Sequence, residues 1–138
     1  MINSRRLLNA VSVLSFLGFL DAAYLTLTHF QNRIPPCTLG SCETVLTSQY
    51  AAIFGIPIAM IGAFYYVTVF LFSRIGSVRW LFVTVSAGFA ISLVLLGLQL
   101  FILHAICLYC IGSLTITTLL FILGLLLLRT WQQPGNFT

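Results

Sequence analysis

Cys107-Leu-Tyr-Cys110 places two thiols one helical turn apart inside an almost uninterrupted apolar stretch. At that spacing they share a helix face and can close into a disulfide and reopen, which makes them a two-electron switch. Near a helix start, the partial positive charge of the N-terminus favours a thiolate at Cys107. Cys110 lies one turn deeper, where a lipid-soluble oxidant reaches it. The remaining cysteines, Cys37 and Cys42, are separated by Thr-Leu-Gly-Ser in a more polar loop, and Gly40 permits the turn that a small loop disulfide needs. Two close thiol pairs in one short chain point to a route for electrons. Two other readings stay open at this level: structural disulfides, and a zinc site built from all four cysteines.

Other residues with chemical potential are weaker candidates. Asp21 is an ionisable group inside an apolar run, which marks either function or contact with interfacial water. His104 lies three residues before Cys107 and could steady its thiolate or move a proton. His29 has less to recommend it. Gly62, Ala63, Ala87, Gly88 and Gly112 suit close helix packing.

These residues must be positioned in lipid. The chain has 138 residues, 60% of them hydrophobic and 6% charged, with a mean hydropathy of +1.11. No water-soluble domain of this size hides so much apolar surface. Four segments are long enough to span, at about 7–28, 56–72, 80–103 and 106–128. The expected fold is therefore an all-α, single-domain bundle of four transmembrane helices. Pro57 suits the first turn of the second helix.

The net charge of +4 comes from six arginines and no lysines. Arg5 and Arg6 precede the first span, Arg74 and Arg79 fill the second connection, and Arg129 follows the fourth. The positive-inside rule puts these, and both termini, in the cytoplasm. That distribution speaks for membrane orientation rather than nucleic-acid binding. Both cysteine pairs then lie at the outer face. The first span is too long for a secretory leader and carries Asp21, and the sequon Asn136-Phe137-Thr138 falls on the wrong side. Trp131 is placed as an interfacial anchor.

The outer loop, 29–55, has a readable substructure. Pro35-Pro36 holds an extended lead-in, and Ser41 is a candidate cap with Glu43 in the first turn. Cys42 at that helix start gains thiolate character as well. Leu46, Tyr50, Ile53 and Phe54 recur at helical spacing. The expectation is a half-helix over about 43–54, too short to span, lying over the bundle as a lid on the outer face.

At this point the residues resemble a known family. Cys37, then Cys42-Glu-Thr-Val-Leu-Thr-Ser48-Gln-Tyr50-Ala51-Ala-Ile-Phe54-Gly55-Ile-Pro57, then Cys107-Leu-Tyr-Cys110, are similar to the bacterial branch of vitamin K epoxide reductase. Ala23-Tyr24-Leu25-Thr26 in the first span is similar too. The resemblance implies a four-helix bundle around a quinone, with Cys107–Cys110 delivering electrons and Cys110 nearer the ring. By the same resemblance Cys107 exchanges disulfides with a loop cysteine. Cys37 and Cys42 relay electrons from a thioredoxin-like extracytoplasmic partner, and Phe54, Gly55, Ala51 and Leu114 border the quinone together with Cys110. The other bacterial four-helix quinone reductase carries its Cys-x-x-Cys before the isolated pair. The order here is reversed.

The implied activity is a quinone-dependent thiol oxidase of the bacterial inner membrane, acting as a monomer and sustaining disulfide formation in exported proteins. Its oxidant is a ubiquinone, menaquinone or phylloquinone type, and no metal is called for. Vertebrate relatives carry an asparagine at the place of Ala51 and a tyrosine at the place of Leu114, which weakens the case for vitamin K epoxide as substrate. Many bacterial relatives continue into a thioredoxin-like domain, so the partner is expected on a separate chain or on a segment removed from this one. The alternatives are epoxide reduction proper, and a non-enzymatic scaffold that binds zinc or is stapled by disulfides.

Overall fold

The computed structural model describes residues 3–31 and 52–132. Cys37, Cys42, Ala51 and the expected half-helix over 43–51 lie outside the described residues. Four helices account for nearly everything that is described. Helix α1 runs Ser4–Phe30, α2 Ile58–Ile75, α3 Val78–Gly97 and α4 Leu108–Gln132. Each is long and apolar enough to cross a membrane when the π-helical turn Leu98–Ile102 is counted with α3. The chain is a multi-pass membrane protein of the expected all-helical bundle class.

The helices run alternately up and down. Helix α1 packs on α2 and α4, and α3 packs on α2 and α4, so the four close a ring. Arg5, Arg6, Arg74, Arg79 and Arg129 therefore gather at one end and Cys107 and Cys110 at the other. Trp80 and Trp131 stand exposed at the arginine end, as interfacial aromatics do.

Local chemistry sets the helix ends. Asn3 caps α1, its Oδ1 accepting the Arg5 N–H at 3.1 Å. Gly76, at φ +84°, closes α2 by donating its N–H to Phe72 O at 3.0 Å. Arg74 sits in the last turn of α2, where a cation favours the helix dipole, and Arg79 in the first of α3. The second connection is thus only Gly76-Ser77, shorter than the hydropathy pattern suggested.

The second helix also starts later than expected. Ile56-Pro57 is extended and pairs antiparallel with Ala52-Ile53, matching Ile53 to Ile56 and Ala52 to Pro57. The end assigned to the half-helix, Ala52-Ile53, is therefore strand. The physical reason is Pro57, whose ring disfavours a helical conformation at Ile56. Phe54 and Gly55 form the two-residue turn with φ of +52° and +81°, the backbone that twists a tight hairpin correctly.

The main core sits toward the arginine end. Val11 of α1, Val69 of α2, Leu81 and Val85 of α3, and Leu120 and Leu127 of α4 are all enclosed. Ser12 and Ser73 hydrogen-bond across α1 and α2 at 2.8 Å. Small residues let the helices approach: a Cβ on Gly18 would run into the Tyr66 ring, and one on Gly88 into the Tyr65 ring. Gly88 was anticipated from its sequence setting; Gly18 was not, and Gly112 meets nothing within 4 Å. Outward faces stay apolar, with Phe16, Phe64, Ile91 and Val94 exposed where lipid replaces water.

Candidate redox site

Cys107 is the residue just before α4, so it caps that helix: its carbonyl accepts the Ile111 N–H at 3.0 Å. The fourth span was expected to begin at Ile106. Beginning at Leu108 instead places the Cys107 thiol beside the first backbone N–H groups of the helix rather than along its flank. Cys110 follows in the first turn, and both are free thiols. Cys107 has no exposed surface, whereas Cys110 is half-buried.

The thiol of Cys110 hydrogen-bonds to that of Cys107, and this is the largest influence on Cys107. Burial opposes it, while the N–H groups of Cys110 and Tyr109 reinforce it. The net result lowers the Cys107 thiol to about 6. A reduced Cys107 is therefore biased toward the thiolate.

The approach to Cys107 is made by an irregular corner. Helix α3 widens into the π-helical turn Leu98–Ile102, closed by Leu103 N–H on Leu98 O at 2.9 Å. His104 then adopts φ +50°, a conformation a β-carbon disfavours. Ala105 N–H returns to Gln99 O at 3.0 Å, and Cys107 N–H reaches Gln99 Oε1 at 3.2 Å. Gln99 is enclosed, and its side chain is also a hydrogen-bond partner of the Cys110 thiol. Sequence reasoning missed Gln99. The available signal was a lone amide in a 25-residue apolar span.

Beyond Cys110, deeper in the bundle, facing helices carry a layer of hydroxyls. Tyr66 Oη and Ser113 Oγ are 2.6 Å apart, and Thr117 donates to Ser92 Oγ at 3.3 Å. Tyr65 Oη and Ser86 Oγ are buried without a hydrogen-bond partner among the described residues. Tyr24 of α1 packs its ring 6.0 Å from that of Tyr109. Asp21, half-buried on α1, is close enough for its charge to act on Cys107, Cys110, Tyr66 and Tyr109. Beside the corner, an apolar groove of about 430 Å³ is lined by Ala52 and Ile53 of the hairpin, Ile58 of α2, and Ala90, Val94 and Leu98 of α3.

The anticipated residues divide clearly. Cys107 and Cys110 meet, and Asp21 joins their electrostatic neighbourhood. Leu114 lies one turn beyond Cys110, half-buried. Phe54 and Gly55 form the hairpin tip, with Phe54 wholly exposed. His104 is exposed at the corner, and His29 lies edge-on to Phe30 at the end of α1. Cys37, Cys42 and Ala51 lie outside the described residues. Among the described residues no three of His, Cys, Asp and Glu converge as metal ligands.

None of the curated proteins compared with the chain matches it. Residues 9–125 match the model of the Vitamin K epoxide reductase family. A thiolate-favouring N-cap cysteine paired with a half-buried cysteine, among four span-length helices, is a setting suited to that chemistry. The chain belongs to the vitamin K epoxide reductase family and is a quinone-dependent thiol/disulfide oxidoreductase of the membrane.

Proposed function

We propose that the chain is a thiol oxidase of the bacterial branch, taking electrons from an extracytoplasmic thioredoxin-like dithiol and passing them to membrane quinone. The arginine-rich end faces the cytoplasm under the positive-inside rule, and the cysteine end faces outward. A reduced partner opens the Cys37–Cys42 disulfide. One loop thiolate then attacks Cys107 Sγ, the Cys107–Cys110 bond breaks, and the electron pair stays on Cys110. The second loop thiolate closes the loop disulfide and frees Cys107. Re-forming the Cys107–Cys110 bond completes the cycle.

Quinone supplies the chemistry of the last step by accepting two electrons and two protons. The residues present suit such a ligand. Tyr65 Oη and Ser86 Oγ are buried donors without partners among the described residues, and the apolar groove beside Leu98 offers room for a hydrocarbon tail. Cys107, as the stabilised thiolate, is the nucleophile that closes on Cys110. Among the described residues, the Cys110 thiol and the Tyr66–Ser113 hydroxyl pair can carry protons. Because a quinone pool is more oxidising than a typical partner dithiol, flow runs toward quinone.

The observation that carries this reading is Cys107 at the N-cap of α4, its thiol paired with that of Cys110 in the first turn. The test is quinone reduction with a reduced thioredoxin-like donor, comparing wild type, Cys110→Ser and Cys42→Ser. We expect no turnover in Cys110→Ser. Cys42→Ser should work with a small dithiol but not with the protein donor. Equal turnover in all three would sink the relay.

A further inference from the structure

Gln99 spends hydrogen-bonding capacity where little is to be had. An amide enclosed within an apolar span must find partners for its oxygen and its NH2 group, or bear the cost of leaving them unpaired. Its oxygen is committed to the Cys107 N–H at 3.2 Å. That contact fixes the orientation of the amide, because an N–H needs an oxygen opposite it. The NH2 arm is therefore the one that reaches the Cys110 thiol.

The two cysteines differ in what the backbone offers them. Cys107 Sγ receives the N–H groups of Tyr109 and Cys110. Cys110 stands one turn later, where the next amide, that of Ile111, is already bonded to Cys107 O. Once Cys107 is tied up in a mixed disulfide, Cys110 also loses its sulfur partner. A negative charge on Cys110 then depends on a side-chain donor. The π-helical turn and the bond from Ala105 N–H to Gln99 O hold that donor in place.

We propose that Gln99 is a catalytic residue of the thiol pair, its NH2 group donating to Cys110 Sγ and holding the charge released there when a thiolate attacks Cys107. The step balances without a proton: one S–S bond forms at Cys107, the Cys107–Cys110 bond breaks, and its electron pair rests on Cys110. By leaving-group acidity alone Cys107 is the better thiolate, which would direct attack to Cys110. Gln99 offsets that bias and lets Cys110 leave. This inference rests on the relay described above.

The test removes every competing thiol and needs neither quinone nor donor. In a Cys37→Ser, Cys42→Ser, Cys107→Ala background the backbone N–H at position 107 remains and Cys110 is the sole cysteine. Alkylation of Cys110 by N-ethylmaleimide is followed against pH for Gln99, Gln99→Met and Gln99→Glu. Loss of a hydrogen bond to a charged sulfur should slow alkylation about tenfold at neutral pH in Gln99→Met. Gln99→Glu should be slower still, and all curves should meet at high pH. Thermal unfolding checks that Gln99→Met, which keeps the side-chain length, is folded. Superimposed curves, or a slowing that persists at high pH, would overturn the proposal whatever the relay does. Separated curves, together with no quinone reduction by the protein that keeps all four cysteines, would refute the relay while upholding the Gln99–Cys110 bond.

Discussion

At the arginine end of the bundle, Leu81, Leu120 and Leu127 close an apolar core with regular helices and a glycine cap at Gly76. At the cysteine end, among the described residues, Ala105 and Cys107 make a small cluster, a π-helical turn replaces α-helix, and both non-glycine residues with positive φ, Phe54 and His104, are found there. The hydroxyl layer and Gln99 also lie on that side or at mid-depth. One region keeps every local preference and the other breaks several of them. Irregular backbone at membrane depth is tolerated only where protein covers it or a cavity adjoins it, and that is the setting of the corner before Cys107. The bundle's regular end supplies the stability that lets its other end hold thiols, an amide and hydroxyls in lipid.

If the ends are specialised in this way, substitutions at each should have different signatures. The largest effect is expected for Cys107→Ser, which should remove quinone reduction to background while leaving the thermal midpoint close to wild type. A large fall in midpoint would tie the thiols to structure and break the contrast. Next, Leu120→Ala should destabilise the bundle by about 2–4 kcal/mol, with turnover per folded molecule nearly unchanged. Unfolding in mixed micelles measures the first quantity and quinone reduction the second.

The pH response sharpens the comparison. Because the Cys107 thiol falls from an ordinary 9.0 to about 6, thiolate absorbance in the reduced protein should rise with a midpoint near about 6. In Cys110→Ala that midpoint should move up toward the ordinary value, since the hydrogen bond from Cys110 is the main cause of the lowering. The sign for stability follows: the reduced form gains stability that is full above pH 9.0 and is lost as pH falls through about 6. The smallest effect is expected for Ser12→Ala at the regular end. Ser73 keeps its bond to Phe70 O at 2.7 Å, so the loss should be about 0.5–1 kcal/mol with no change in turnover.

Much of this was legible in the residues themselves. Hydropathy marked four spans, and arginine placement foretold which helix ends share a side. The Cys107–Cys110 spacing announced a redox pair. The helix starts were misplaced by about two residues at Pro57 and Cys107, because hydropathy does not register where backbone hydrogen bonding begins. At Cys107 that small difference matters, since it turns a flank residue into a cap.

What the sequence determined by itself was the solvent, the number of spans and the identity of the reactive pair. Those follow from composition and from contacts between residues near in the chain. What only the tertiary structure decided was the company the pair keeps: Gln99 from the π-helical turn, Asp21 and Tyr24 from α1, and the Tyr66–Ser113 pair between α2 and α4. These residues come from different helices, and their meeting depends on side-chain direction and close approach at Gly18 and Gly88. No local pattern encodes such a meeting, because it exists only once the bundle has closed.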